Sequence, residues 1–482
     1  MTKEKSVTKN FIFNAIKTIM VVIFPMISFP YVSRVIGVEG VGAVQYASGI
    51  ISYFGLFASL GVTGYAVREG VKLKKDKEAF SKLVKEILTI NMLATLVVYA
   101  VLAVVLCLDI FSGYNTLLFI SSFSIILTTL AVEWVYQAME EYVYISIRTI
   151  VFQVLAIILL LIFVRDEKDI ISYAIITVIA SYGYGLFNII NIRKHVDFRV
   201  KGKLQIKKHL KPILIIFGTS LSVSIYVNLD TVMLGWIHGD YEVGLYTAAV
   251  KLCIIVKNII TSVSVVLMPR LALYLANGEK EQYNSLLKKG VNLNLMISIP
   301  AAVGLMLLSE NVLLVFSGKD FLSASFAAKI LALNIMVAAL DNIFYNQVLI
   351  PHGREKLACV GTIIGAVLNF ILNMLFIPTY KINGAAIATF VSELVVFIFF
   401  IYFMKDIINL RAIFAKVGTY VAAVIPVVIV VITCKYLVAS PIVELIIAIA
   451  ISVVVYFGVL YVLKNELVRS GVRKIVRLIS KS

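Results

Sequence analysis

The sequence predicts an all-α integral membrane protein in which most residues belong to helices that cross a lipid bilayer. Hydrophobic residues make up 61% of the 482 positions and charged residues 15%, against roughly 25% charged residues in an ordinary soluble domain. The mean hydropathy is +0.99. A soluble chain of this length would need far more polar surface, whereas an outer face in contact with lipid explains the apolar excess.

Apolar stretches of about 20 residues, the length that crosses the hydrocarbon layer, recur along the whole chain. We predict about fourteen transmembrane helices, near 11–36, 43–66, 86–108, 116–137, 148–165, 170–192, 212–237, 242–268, 290–309, 326–350, 357–378, 384–404, 415–435 and 441–463. The loops between them are short, and none is long enough to hold a soluble catalytic domain.

The basic residues are unevenly distributed between the two sides of the predicted membrane. The net charge is +17, from 44 Lys and Arg against 27 Asp and Glu. Thirty-five of the 44 fall on the side that includes the N-terminus, and six fall on the other. The positive-inside rule therefore places both termini in the cytoplasm. A nucleic-acid partner is excluded as an interpretation, because no stacking aromatics interleave with the basic stretches.

Enzyme and metal signatures are missing from the sequence. It contains no Walker loop, HExxH or GxSxG motif. The four cysteines fall in apolar stretches without a CxxC pair, and the four histidines fall in predicted loops without a ligand pair. The sequence therefore predicts no enzyme activity, no metal and no cofactor.

A weak internal repeat relates the two halves of the chain. Gly37 precedes Val41-Gly42, and Gly235 precedes Val243-Gly244. Each stretch lies between an odd predicted span and the next even one, and the two are about six spans apart. Six spans repeated in the same orientation imply two lobes related by a pseudo-twofold axis along the membrane normal. We therefore predict a six-helix lobe (1–192), a basic cytoplasmic linker (193–211), a second six-helix lobe (212–404), two additional helices (405–463) and a basic cytoplasmic tail (464–482).

Ionisable residues inside the predicted spans are the candidate functional groups, because a charge in the membrane interior is costly. Asp230 and Lys251 lie at matching depth in neighbouring spans, where they form either a structural ion pair or a gate. Lys257 and Asp341 lie deeper, at a depth similar to each other, and Glu133 lies near the cytoplasmic end of the fourth span.

The first span carries two charges and two prolines. Arg34 closes the span at its outer edge and Lys17 lies near its inner end, and both have an alternative interpretation as snorkelling side chains. Pro25 and Pro30 each remove a helix hydrogen bond. They predict either a static kink or a hinge that changes access to a cavity between the lobes.

Four sequence blocks follow one another in order along nearly the whole chain. The blocks are Phe24-Pro25 with Pro30-Tyr31-Val32-Ser33-Arg34-Val35-Ile36-Gly37 and Gly40-Val41-Gly42; Glu133-Trp134-Val135-Tyr136-Gln137-Ala138 with Glu140-Glu141-Tyr142 and Ile145-Ser146-Ile147-Arg148; Asn228-Leu229-Asp230-Thr231-Val232-Met233-Leu234-Gly235 with Val243-Gly244-Leu245-Tyr246; and Leu349-Ile350-Pro351 with Gly353-Arg354-Glu355-Lys356. Together they resemble the polysaccharide flippases that serve O-antigen and capsule synthesis. Ala138 replaces the glycine that is usual in that family after the Trp-x-x-Gln block.

The resemblance implies a member of the multidrug, oligosaccharidyl-lipid and polysaccharide exporter superfamily in the bacterial plasma membrane. Such a protein moves polyprenyl-diphosphate-linked oligosaccharide units across the bilayer by alternating access of two lobes. Coupling to protons, to sodium ions or to the membrane potential is compatible with the sequence. On this hypothesis, a substrate-binding cationic cavity is formed by Arg34, Lys251 and Lys257, and gating or coupling is carried by Glu133, Asp230 and Asp341.

Three alternatives remain at this point. A lipid II flippase of the same superfamily would have a similar cationic cavity. A cation-coupled multidrug exporter would favour acids and aromatics over lysines. A membrane glycosyltransferase or polymerase would need a large external loop or a carboxylate pair in a soluble portion, and the sequence has neither.

Overall fold

A computed structural model describes residues 7–200 and 202–479, which are predominantly α-helical. Short 3-10 segments cover Ile192–Lys194 and Lys319–Ala324, and a π-helix covers Phe344–Leu349. The α-helices are α1 (Val7–Ser59), α2 (Val62–Leu73), α3 (Lys77–Cys107), α4 (Asn115–Ala131), α5 (Glu133–Ala138), α6 (Tyr142–Phe163), α7 (Ile170–Tyr182), α8 (Tyr184–Asn191), α9 (Ile206–His238), α10 (Asp240–Ala276), α11 (Lys280–Phe316), α12 (Ser325–Ile343), α13 (Glu355–Met404), α14 (Leu410–Phe414), α15 (Val417–Leu437), α16 (Pro441–Val462) and α17 (Glu466–Ile479).

Eleven helical segments in the described part of the chain are long and apolar enough to cross a membrane. The prediction of an all-α integral membrane protein is therefore confirmed. Two of the eleven include most of α1 and all of α13, helices of 53 and 50 residues. Gly37 interrupts α1 and Lys381 interrupts α13 with non-helical dihedrals, so each of these helices covers two of the predicted spans. The count of fourteen itself stays a prediction.

Residue contacts divide the chain into two compact units, Met1–Gly244 and Leu245–Ser482. In the first unit, α1 packs against α3, α4, α6 and α9. The residues before its break at Gly37 include Pro25 and Pro30, and both prolines lie within a continuous helical segment. Helix α9 packs on α1 and therefore belongs to the first unit. The division between the two units thus follows Gly244, whereas the predicted linker ends at residue 211. The predicted lobe boundaries and the hinge role of the two prolines stay predictions.

The second unit is built around α11, which packs against α12, α15 and α16. Three hydrogen bonds attach the last two apolar helices to α11. The hydroxyl of Tyr420 donates to Asn292 Oδ1 at 3.1 Å, that of Tyr456 donates to the carbonyl of Met296 at 2.9 Å, and Asn311 Nδ2 donates to Glu444 Oε2 at 2.6 Å. A buried donor that reaches a buried acceptor avoids a desolvation cost, so these bonds select one register for α15 and α16.

Replacing Tyr420 by phenylalanine tests that register. Tyr420 is fully buried, so Tyr420→Phe leaves the buried oxygen of Asn292 without this donor, at a cost of about 1–3 kcal/mol. We expect a lower apparent Tm for the purified protein. Tyr436→Phe is the matched control, because Tyr436 lies on the same helix and is 85% exposed. An equal Tm for the two variants would contradict the role of this hydrogen bond.

Candidate functional site

The clearest irregularity in the first unit is a break between α4 and α5. Val132, which separates them, has φ 38° and ψ 40°, a left-handed conformation that is a genuine outlier for a β-branched residue. Asn188 of α8 donates to the carbonyl of Ala131 at 2.6 Å and thereby satisfies one backbone group near the break. Strain of this kind persists only where the surrounding structure enforces it, and it is concentrated at functional sites.

Close packing of α8 on α4 makes this contact possible. A Cβ atom at Gly185 would overlap the carbonyl oxygen of Leu127, so only glycine permits the approach. The hydroxyl of Tyr136 also donates to the backbone carbonyl of Asn188, at 2.6 Å. Two interrupted helical segments, α4–α5 and α7–α8, therefore meet at the residues that flank Val132.

Glu133, the first residue after the break, is the centre of an ion-pair cluster. Its Oε2 atom lies 3.1 Å from Arg148 NH2 of α6, and its Oε1 atom lies 3.6 Å from Lys17 Nζ of α1. The hydroxyl of Tyr184 donates to Glu133 Oε2 at 3.1 Å. The side chain of Arg148 is 5% exposed, whereas those of Glu133 and Lys17 are 25% and 28% exposed. One carboxylate is thus shared by two cations, one buried and one accessible.

Aromatic rings complete the surroundings of Arg148. The guanidinium carbon lies 4.1 Å from the ring centroid of Tyr184, 5.7 Å from that of Tyr144 and 5.9 Å from that of Tyr136. These distances are within the range of cation–π attraction, which strengthens when the cation is desolvated. A planar guanidinium suits this site better than an ammonium would, because it stacks on rings and also pairs with a carboxylate.

Sequence reasoning found one member of this cluster and missed the others. Glu133 was predicted as a gating or coupling residue. The sequence predicts Lys17 only as a charge at the inner end of the first span, and it predicts no role for Arg148 beyond its place in a family block and among the basic residues on the side of the N-terminus. The available signal was depth, because Lys17, Glu133 and Arg148 all lie near the predicted cytoplasmic ends of their spans.

A second feature, the crossing of α1 and α10, is built on paired glycines. Gly37 (φ 74°, ψ −176°) and Gly239 (φ 80°, ψ −170°) adopt the same conformation, which only glycine visits readily. Gly42 and Gly244 each follow five residues later. The structural counterpart of Gly37 in the internal repeat is therefore Gly239, and both glycine pairs are related by the same offset of 202 residues.

The two backbones approach each other so closely that neither glycine can carry a side chain. A Cβ at Gly42 would overlap the carbonyl oxygen of Asp240, and a Cβ at Gly244 would overlap that of Val38. Beside this crossing, which we call the glycine crossing, the hydroxyl of Tyr114 donates to Asp240 Oδ1 at 2.7 Å. Burial, together with the neighbouring Asp240 carboxylate, raises the pKa of Tyr114, so the hydroxyl keeps its proton at neutral pH and remains a donor.

The other predicted site residues lie on α1, α9, α10 and α12. Arg34 is exposed, and its guanidinium donates to the carbonyl of Pro30 at 2.6 Å, one turn earlier on the same helix. Asp230 is 5% exposed and lies close enough to Tyr53 for an electrostatic interaction. Lys251 and Lys257 are both partly buried on α10.

Asp341 is the predicted site residue with the most unusual surroundings. It lies on α12, three residues before the π-helix, and is 6% exposed. Neither of its carboxylate oxygens accepts a hydrogen bond from the described residues. The carboxyl group of Glu393 on α13 is close enough to interact with it electrostatically.

The described residues contain no group of three or more His, Cys, Asp or Glu side chains arranged to hold a metal ion.

Comparison with known proteins shows which family the chain belongs to. The polysaccharide biosynthesis protein family matches residues 7–274, and the MatE family matches residues 216–375. A putative O-antigen transporter of Shigella dysenteriae is 23% identical over 352 residues, covering 70% of this chain and 84% of that protein. A putative O-antigen transporter of Escherichia coli (strain K12) is 21% identical over 369 residues, covering 74% and 86%.

Solved structures show the same fold. The lipid II flippase MurJ in an inward closed conformation superposes with a TM-score of 0.73 at 15% identity, covering 96% of this chain and all of that chain. An inward-facing multidrug resistance MATE transporter of the MOP superfamily gives a TM-score of 0.56 at 15% identity, covering 82% and 98%. The chain belongs to the polysaccharide biosynthesis protein family and is a multi-pass membrane transporter of the MOP superfamily, not an enzyme.

Proposed function

We propose that the chain is a flippase that moves polyprenyl-diphosphate-linked oligosaccharide units across the bacterial inner membrane by alternating access, with both termini in the cytoplasm. The carrying observation is the Lys17–Glu133–Arg148 cluster, which places two cations and one carboxylate at a helix break inside a transporter fold. Family membership and the two similar O-antigen transporters support the class of cargo.

The charge balance of the cluster suits a diphosphate. Glu133 carries one negative charge and therefore neutralises only one of its two cationic partners. The side chains of Lys17 and Glu133 are 28% and 25% exposed, so both can be reached by a ligand. An arriving diphosphate oxygen can therefore replace Glu133 as the partner of Lys17, while buried Arg148 retains the carboxylate. Charge-assisted hydrogen bonds to phosphate are stronger than neutral ones. On this proposal Arg34, Lys251 and Lys257 are further cationic groups that bind the substrate.

Alternating access needs contacts that close one side and can separate again. The glycine crossing and the Tyr114–Asp240 hydrogen bond are suited to this role, because they combine close backbone approach with a single polar contact. Asp230, buried on the neighbouring helix α9, belongs to the same gate on this proposal. Pro25 and Pro30 would supply the flexibility of the first span.

Asp341 is the proposed coupling residue. An ionised carboxylate without a hydrogen-bond donor is costly to bury, and the nearby Glu393 adds like-charge repulsion. Uptake of a proton or a sodium ion at Asp341 would remove both costs. Binding and release of that ion on opposite sides of the membrane would then provide the driving force.

Asp341→Asn tests the coupling proposal, because the amide has the shape of the carboxyl group and cannot ionise. We expect export by Asp341→Asn vesicles to lose its response to an imposed proton or sodium gradient. Asp320→Asn, at an exposed position in the 3-10 segment before α12, is the control and should respond like the parent protein. A full response in Asp341→Asn would show that the coupling group lies elsewhere.

Deletion of the gene in its native host tests the proposed cargo. We expect loss of surface polysaccharide together with accumulation of lipid-linked oligosaccharide in the inner leaflet, and both should be reversed by the parent gene. Susceptibility to cationic drugs should be unchanged in the same strains. Increased drug susceptibility with intact polysaccharide would instead identify a multidrug exporter, and accumulation of lipid II would identify a peptidoglycan-precursor flippase.

A further inference from the structure

A cavity of about 440 Å³ opens in the first unit between α2, the first turns of α3 and the first turn of α9. It lies on the predicted cytoplasmic side and apart from the Glu133 cluster. Its lining residues combine cationic, acidic, hydroxyl, imidazole and apolar groups: Tyr65, Glu69, Leu73, Ala79, Lys82, Leu83, Glu86, Lys208 and His209.

Both carboxylates in the lining already have partners. Glu86 is 1% exposed; its Oε1 accepts from the backbone N–H of Gln205 at 2.7 Å, and its Oε2 lies 2.8 Å from His209 Nε2 and 3.2 Å from Lys208 Nζ. Oε1 of Glu69 lies 2.8 Å from Nζ of Lys72 on the same helix, α2. The negative charge in the wall is thus compensated by the protein itself.

Lys82 supplies positive charge that is not compensated in this way. The ammonium of Lys82 forms no salt bridge with any residue that the structure describes. Lys82 lines the same cavity as Lys208. The side chain of Lys208 is 51% exposed, so its ammonium can turn from Glu86 towards a ligand, while Glu86 keeps the backbone N–H of Gln205 and the ring of His209 as partners. Two ammonium groups therefore face one cavity from α3 and from α9.

The walls of the cavity are fixed by the segment that joins α8 to α9. The backbone N–H of Asp197 donates to Ser81 Oγ at 2.9 Å, and Lys85 Nζ donates to the carbonyl of Val200 at 2.8 Å. The hydroxyl of Tyr65 lies 2.7 Å from His209 Nδ1, which connects α2 to α9. A preformed cavity with held walls loses less entropy when a ligand binds.

We propose that this cavity binds a phosphate-bearing ligand through Lys82 and Lys208. Ammonium groups on flexible stems bind phosphate as point charges, and the volume accommodates a phosphate with several further atoms. Leu73 and Leu83 provide an apolar wall for the remainder of the ligand. The ligand is either the headgroup of an anionic phospholipid, which the basic cytoplasmic face attracts, or a soluble phosphate compound.

Ligand-dependent thermal stability of the purified full-length protein in neutral detergent tests this site, because a ligand that binds the folded state raises Tm. The probes are dioctanoyl-phosphatidylglycerol, inorganic phosphate and glycerol phosphate, with dioctanoyl-phosphatidylcholine and sodium chloride at equal ionic strength as references. The variants are Lys82→Gln and Lys208→Gln. Lys207→Gln is the matched control, because Lys207 neighbours Lys208, is exposed and does not line the cavity.

We expect phosphatidylglycerol or the phosphate compounds to raise Tm in the parent protein and in Lys207→Gln. Half-saturation should need at least about tenfold more probe in Lys82→Gln and Lys208→Gln, the loss expected for one charge-assisted hydrogen bond. A response restricted to phosphatidylglycerol identifies the lipid headgroup, and an equal response to glycerol phosphate identifies a soluble ligand. Equal half-saturation in all four proteins, or a Tm that no probe raises above the references, would overturn the proposal.

Discussion

Replacing Arg148 by glutamine is expected to abolish polysaccharide export and to lower the stability of the protein. Arg148 is 5% exposed and pairs with Glu133 at 3.1 Å. Removing one partner of a fully buried ion pair typically costs about 3–5 kcal/mol, which is an upper bound here because the remaining Glu133 side chain is 25% exposed. Lys17, at 3.6 Å and more exposed, compensates Glu133 only in part. We therefore expect export to fall more than about tenfold and the apparent Tm to fall with it.

The double variant Glu133→Gln/Arg148→Gln separates a transport role from a structural one. Neither glutamine carries a charge, so the double variant does not leave Glu133 without Arg148 and should recover most of the lost Tm. If the cluster binds and releases the diphosphate by moving Glu133 between Lys17 and Arg148, export stays low in spite of the recovered Tm, because the double variant lacks both exchanging groups. Recovery of export together with Tm would mean that the pair is structural and would remove the main support for the proposed substrate site.

Arg148→Lys adds a test of geometry at constant charge. An ammonium cannot stack on the rings of Tyr144 and Tyr184 as the guanidinium does. We expect export between that of the parent protein and that of Arg148→Gln. Arg165→Gln, at an exposed position after the other end of α6, is the control for loss of one positive charge and should export normally.

The sequence was sufficient for the fold class because hydropathy, loop length and loop charge all act locally. A stretch of 20 apolar residues must form a helix in lipid whatever its neighbours are. The same local information does not show where a helix is interrupted. The sequence around Val132 does not indicate a left-handed backbone conformation. That conformation is imposed by tertiary contacts, such as the hydrogen bond from Asn188 to the carbonyl of Ala131, which lies 57 positions earlier in the chain.

The sequence predicts a site residue only where an ionisable side chain lies within a predicted transmembrane span. Glu133 was selected because an acid within a span is costly, and the structure gives it two cationic partners. Arg148 escaped the same reasoning because it lies at the start of α6, where a basic residue is ordinarily explained by topology. The role of Arg148 depends on the direction of its side chain, which is set by tertiary packing. The number of charges in each loop gives no information about that direction.

Replacing Gly42 by alanine is the second change for which we expect a near-complete loss of export. The added Cβ would overlap the carbonyl oxygen of Asp240, which belongs to backbone and cannot rotate away as a side chain can. The first turn of α10 must therefore shift, and the glycine crossing cannot close. If the crossing is a gate that closes once in each transport cycle, Gly42→Ala prevents that closure although it adds only one methyl group.

Gly55→Ala is the matched control for this prediction, because Gly55 lies on the same helix and a Cβ there would have no neighbouring atom within 4 Å. Its export should equal that of the parent protein. Gly244→Ala should reproduce the defect from the other side of the crossing, where the added Cβ would overlap the carbonyl oxygen of Val38. Accessibility of Val41→Cys to an impermeant maleimide gives the second readout, because Val41 is 1% exposed beside the crossing. The background carries Cys107→Ser, since Cys107 is exposed, and both alanine variants should increase labelling. Normal export by Gly42→Ala with unchanged labelling would show that the two backbones can separate without cost, and the crossing would then be a packing contact and not a gate.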